Sequence, residues 1–126
     1  MFKINNEDLT IYCTRGDALS FSLYADKDGE NYIFQPDDVV RFRIYGKKAA
    51  EEVLLQKDFT VGDEAREYVP IYLTGEDTRI GDIISKPTDY WYEIELNPDT
   101  DPQTIVGYDE DGAKVFKLFP EGRVIE

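Results

Sequence analysis

The side chains able to do chemistry are few, and most are acids. Glu93 and Glu95 stand two residues apart, so an extended segment projects both carboxyls from one face, with Trp91 beside them. Paired carboxyls can serve glycoside hydrolysis, where one stays protonated and the other ionised across a cleft. An acidic strand face facing water explains the same spacing without catalysis, and that reading is adopted. Asp26-Lys27-Asp28-Gly29 and Asp109-Glu110-Asp111-Gly112 alternate acids before a glycine, as the middle of a calcium loop does. Aligned on the glycines, Tyr24 or Gly107 stands where the first aspartate belongs, and Gln35 or Leu118 where the bidentate glutamate belongs. Both segments therefore read as turns. Asp99, Asp101 and Asp109 form an acidic cluster that repels itself unless a cation neutralises it. Arg15-Gly16-Asp17 reads as a tight turn, with glycine at the bend and the two charges as its shoulders.

Composition narrows the functions further. The 126 residues hold one cysteine, Cys13, and no histidine, so they supply no internal disulfide, no imidazole base and no imidazole metal ligand. Asp and Glu number 27 against 14 Lys and Arg, a net charge of −13 that repels phosphate, so no nucleic-acid partner is expected. No apolar run approaches the roughly 20 residues of a membrane span. Met1-Phe2-Lys3-Ile4-Asn5 carries no signal-peptide core. The expectation is a soluble chain, intracellular when made, with no membrane partner, no cofactor, no metal and no enzymatic activity. A hydrophobic content of 41% is too high for a disordered acidic chain, and no linker-like stretch divides it, so residues 1–126 are expected to form one domain.

The elements that must position these groups follow from period-2 alternation. Leu9, Ile11 and Cys13 alternate with Thr10 and Tyr12; past the turn at 14–17, Leu19, Phe21 and Leu23 alternate with Ser20, Ser22 and Tyr24. These two strands are expected to follow each other directly across that turn. A turn at 26–29 leads to a short strand at Tyr32-Ile33-Phe34. Val40, Phe42 and Ile44 then oppose Arg41, Arg43 and Tyr45. Residues 47–57 are rich in helix formers but lack a good N-cap, and a strand is expected from Val53 onward. Val69, Ile71 and Leu73 alternate with Tyr68, Pro70 and Tyr72, where proline demands a sheet edge or a bulge. Thr74-Gly75-Glu76-Asp77 has the form of a capping box. Tyr90, Tyr92, Ile94 and Leu96 alternate with Trp91, Glu93 and Glu95, and a terminal hairpin is expected from Thr104–Tyr108 and Lys114–Phe119. Seven to nine short strands with turns about every ten residues predict an all-β, immunoglobulin-like antiparallel sandwich, with a barrel second. The candidate interaction surface is Tyr90, Trp91, Tyr92, Glu93 and Glu95, rich in the aromatic residues that interfaces favour.

Thr14-Arg15-Gly16-Asp17, then Phe21 and Leu23, Asp28-Gly29-Glu30 and the Val40-Phe42-Ile44 strand resemble the opening of the N-terminal domain of phage baseplate upper proteins. Leu73-Thr74-Gly75-Glu76-Asp77-Thr78, Tyr90 to Leu96, and Thr104-Ile105-Val106-Gly107-Tyr108 resemble its later strands, in the same order. The likeness runs over most of the chain and rests on the order and spacing of strand and turn signals. It implies an immunoglobulin-like sandwich serving as a structural tail or baseplate module. Its implied partners are other phage tail or baseplate subunits or further copies of itself, and its place is the virion, assembled in the host bacterial cytoplasm. The residues themselves leave a second reading, a carbohydrate-binding or adhesion sandwich that uses Trp91 and tyrosines as stacking platforms, assisted by calcium.

Overall fold

Alternating side chains need a second layer to cover their apolar side, and here that layer is another sheet. The computed structural model describes residues 2–5, 7–47 and 51–122. Among these residues eleven strands follow one another: β1 (Phe2–Ile4), β2 (Ile11–Thr14), β3 (Leu19–Leu23), β4 (Asp26–Lys27), β5 (Glu30–Asn31), β6 (Val39–Lys47), β7 (Glu51–Thr60), β8 (Val69–Leu73), β9 (Thr88–Leu96), β10 (Gln103–Val106) and β11 (Lys114–Phe119). The fold is all-β, as expected. The count exceeds nine because β1, β4 and β5 are only two or three residues long.

The large sheet has the order β1-β2-β11-β9-β6-β7, with β10 also on β9; β3 pairs with β8, and β4 with β5. Every pairing is antiparallel except β2 with β11. Ile11, Cys13, Val40, Phe42, Ile44, Tyr92, Ile94, Leu96, Phe116 and Leu118 of the large sheet meet Leu19, Leu23, Val69, Ile71 and Leu73 of the β3–β8 pair in one buried cluster. Burying each large apolar side chain contributes about 1.5–3 kcal/mol. Cys13 belongs to this core, and burial pushes its thiol up to about 11.

Several local signals hold. Asp28 and Gly29 both have positive φ (54° and 83°), the requirement of the two-residue turn that joins β4 to β5. The Thr74 hydroxyl accepts from the Asp77 N–H (3.1 Å) while Asp77 accepts from the Thr74 N–H (2.8 Å), the reciprocal capping pair. Among the described residues, Pro70 lies on a strand with one partner only. The helix formers of 47–57 yield to the sheet: β7 begins at Glu51, two residues before the expected start, and a bulge beside Leu54 re-aims it between the pairs Ile44–Leu55 and Tyr45–Val53. Residues 48–50 of that segment lie outside the described residues.

The 14–17 turn joins β2 directly to β3, as expected, and carries the chain from the large sheet to the small one, because β2 pairs with β1 and β11 whereas β3 pairs with β8. Two other segments differ from expectation. Tyr32-Ile33-Phe34 is not a strand: pairing begins two residues earlier at β5, and Phe34 makes a single bridge to Arg66. The terminal hairpin is absent as well. β10 and β11 do not pair with each other but lie end to end along one edge of β9, β10 opposite Ile94–Leu96 and β11 opposite Thr88–Tyr92. β9 is nine residues long and offers room for both. Residues 107–113 leave the sheet between them as a tight excursion, closed by Gly112 N–H to Asp109 O (2.9 Å) and by Lys114 Nζ on Asp109 Oδ1 (2.6 Å).

Candidate functional site

The register of β6 against β9 places Arg41 opposite Glu95, Arg43 opposite Glu93, and Tyr45 opposite Trp91, all on the outer face of the large sheet. This face is half-buried rather than wet, because its long side chains lie down on one another. Arg41 is buried, and its guanidinium forks onto Asp58 at 2.8 and 3.1 Å while also reaching Asp99 at 3.0 and 3.3 Å. Hydrogen bonds from Arg41 hold the Asp58 carboxyl below its ordinary range, and those two acids hold Arg41 firmly protonated. Arg43 donates to Gln56 at 2.9 Å and stands 3.8 Å from Glu95. The Tyr45 hydroxyl donates to Glu93; burial first, and then that bond, push the phenol up to about 12.

Burial raises the Glu95 carboxyl above its ordinary range, and the hydrogen bond and negative charge of Glu93 add to the rise. Arg43 and Arg41 pull it down but do not win, since Arg43 is at the long limit of an ion pair. Glu93 and Glu95 therefore stand side by side along one strand. Retaining glycosidases instead hold their carboxyls about 5 Å apart across a substrate.

The aromatic members of the sequence-derived surface divide between the two sides of β9. Tyr92 is only 5% exposed, stacks on Phe42 at 5.7 Å and donates to Leu9 O at 2.5 Å, so it belongs to the core. Tyr90 is half-buried on the same inward side, packed against the core cluster. Trp91, Glu93 and Glu95 share the outward side and are half-buried. The five residues thus do not form a single exposed patch.

A different face is exposed. The β3–β8 register sets Ser20 opposite Tyr72 and Ser22 opposite Pro70, and the tyrosine rings of Tyr24 and Tyr68 meet at 5.7 Å one step further on. Tyr24, Tyr68 and Tyr72 are 55%, 37% and 51% exposed. Ser20, Ser22 and Pro70 between them are exposed too, so this outer face carries hydroxyls, rings and a proline and no charge of its own. Charges occur at its margin: Lys57 Nζ lies 4.2 Å from the Tyr72 ring centre and 2.9 Å from Asp77, and the Arg66 guanidinium lies 5.2 Å from the Tyr68 ring centre. The sequence supplied the alternation on each strand but not the fact that β3 and β8 are neighbours, which is what assembles the face.

The remaining motifs are committed internally. Arg15 is a buried residue, 8% exposed, rather than a charged shoulder; it faces Glu121 at 3.6 Å and donates to Arg79 O at 3.4 Å. Thr78 fastens the turn by accepting from Gly16 N–H (3.0 Å) and donating to Asp17 O (2.9 Å). Two of the three acids of the 99–109 cluster are met by cations of the protein, Asp99 by Arg41 and Asp109 by Lys114. Between the sheets, a cavity of about 430 Å³ opens where Phe21 and Leu23 face Ile4, Ile105 and Val106.

No family model, no curated protein and no solved structure matches the chain.

Proposed function

We propose that this chain is a non-enzymatic structural module of a phage or prophage tail or baseplate, part of the virion, that acts through protein–protein contacts. The observation that carries the reading is the exposed, uncharged face of β3 and β8 on a chain of net charge −13. Tyrosine and serine are economical contact residues, since a tyrosine offers a large rigid area with a polar tip while serine adapts its hydrogen bond. A neutral centre with Lys57, Arg66 and Asp77 at its margin matches the anatomy of an interface core inside a polar rim. The immunoglobulin-like part of the reading is supported by strand order: β11-β9-β6-β7 over β3–β8 corresponds to a variable-type sheet over its inner pair. The tail or baseplate assignment rests on the sequence resemblance.

Exposed tyrosine rings also suit a carbohydrate-binding module, and Tyr24, Tyr68 and Tyr72 offer a better platform than half-buried Trp91. One paired experiment separates the two. The purified chain is mixed with the products of adjacent genes and followed by sedimentation, and separately heated with a panel of cell-wall oligosaccharides. The assembly reading expects a complex with a tail protein and no change of Tm with sugar. Stabilisation by a sugar without any protein complex overturns it.

A further inference from the structure

The edges of the sheets are not protected alike. On β7, Glu52, Lys57 and Asp58 place charges along the edge strand, and the bulge beside Leu54 twists it. On β8, Pro70 removes a donor. β3, Leu19-Ser20-Phe21-Ser22-Leu23, has no charge, no proline and no bulge, and its only partner among the described residues is β8.

Proline fixes the hydrogen-bond phase of this edge. Pro70 has no N–H, so its pair with Ser22 must be of the kind whose peptide groups point away from each other. Alternation then makes Phe21–Ile71 a bonded pair and Ser20–Tyr72 another outward-pointing one. The N–H and C=O groups of Ser20 and Ser22 therefore all face the open edge of β3.

The sequence of β3 reads the same in both directions. An antiparallel copy centred on Phe21 sets Leu19 opposite Leu23, Ser20 opposite Ser22 and Phe21 opposite itself. In that register the bonded pairs are the two Ser20–Ser22 pairs, which are the residues whose peptide groups are free, and Phe21 takes the unbonded position. Phase and sequence thus select the same two-fold axis. Charge favours a second copy as well: two chains of −13 repel, but the strands and faces that meet at this seam are neutral. Phe21, half-buried and stacked on Phe2 at 6.3 Å, lines the 430 Å³ cavity beside this edge.

We propose that two copies of the chain associate by antiparallel pairing of β3 with β3 about a two-fold axis through Phe21, joining the two small sheets into one of four strands. This deepens the assembly reading by naming a second copy as one partner. A five-residue seam is smaller than a standard stable interface, so the contact is weak and becomes firm where neighbours hold many copies together.

The test is sedimentation equilibrium of the wild type and three doubly substituted chains, in which Ser20 and Ser22 become Lys and Lys, Glu and Glu, or Lys and Glu. Both positions are exposed on the outer face, so the fold is retained, as circular dichroism checks. The wild type is expected to move from monomer toward dimer as concentration rises to about 1 mM, the scale of a weak contact. Lys/Lys and Glu/Glu set like charges opposite each other twice and weaken the dimer about tenfold. Lys/Glu sets opposite charges together and brings it back to within about threefold of wild type. A wild type that stays monomeric, or association indifferent to the three variants, overturns the pairing. A Lys/Glu chain as weak as the like-charged ones contradicts the register. A monomeric chain that still binds a tail protein defeats this inference and leaves the assembly reading standing, whereas sugar binding alone defeats the assembly reading.

Discussion

On the outer face of β6 and β9 the charged groups are answered from within the chain, whereas the outer face of β3 and β8 has no charge to answer. Arg41 is enclosed by Asp58 and Asp99, Arg43 by Gln56 and Glu95, and Glu93 by Tyr45. Such a face holds strands together, and breaking it exposes groups that have lost their partners. The tyrosines and serines of the other face have only their margins engaged, and they are free to meet another surface at small desolvation cost. Abundance of charge in the sequence is therefore a poor guide to where this molecule makes contacts.

The difference can be broken in graded steps. The largest effect is expected at the corner that fixes the two sheets relative to each other. A Cβ on Gly75 would stand 2.5 Å from the backbone oxygen of Gly16, an atom that cannot swing aside. Gly75→Ala should cost about 3 kcal/mol in urea unfolding and disturb both faces together. Next is Arg41→Met, which leaves Asp58 and Asp99 without their cation. Because both acids retain solvent access, about 2 kcal/mol is expected rather than the full cost of a buried orphan.

Acid should act through the carboxyls that are paired within the chain, on the charged face and beyond it. Asp58, Asp109 and Glu121 have carboxyls lowered by hydrogen bonds from Arg41, Lys114 and Arg79. They contribute stability above the ordinary carboxylate range and lose it as pH falls through their lowered values. Glu95 runs the other way: its raised carboxyl favours the fold below the ordinary range, and that contribution disappears as pH rises through the folded value. Glu95→Gln should therefore stabilise by about 0.5 kcal/mol near pH 7, the scale of one like-charge pair, and should change nothing near pH 4. Thermal melts at the two pH values read the difference. The smallest effect belongs to the neutral face: Tyr24→Ser should alter stability by less than about 0.5 kcal/mol at either pH.

Much of this was legible in the sequence, and the limit has a physical cause. Alternation gives the two sides of a strand, so the inward positions of β6, β8 and β9 follow directly from Val40, Phe42, Ile44, Val69, Ile71, Leu73, Ile94 and Leu96. Local chemistry gave the Asp28-Gly29 turn, the Thr74–Asp77 cap and the edge position of Pro70. Alternation says nothing about which strand is the neighbour. The pairing of β3 with β8, and the shared edge of β9 that takes both β10 and β11, depend on contacts distant in sequence. The same gap misplaced the contact surface: Tyr90 to Glu95 carry interface-type residues, but β6 lies against them and supplies their partners. Arg15 is buried for the same reason, since only the folded chain brings Glu121 and Arg79 to it.

Whether the β3 edge is the surface that meets a second copy is read by amide hydrogen exchange at residue resolution, compared between dilute and concentrated protein. Ser20 and Ser22 are expected to exchange as open-edge amides when dilute and to slow by about twofold near 1 mM, with Arg43 and Glu93 unchanged. Concentration-dependent protection at β6 and β9 with none at Ser20 and Ser22 would contradict the pairing.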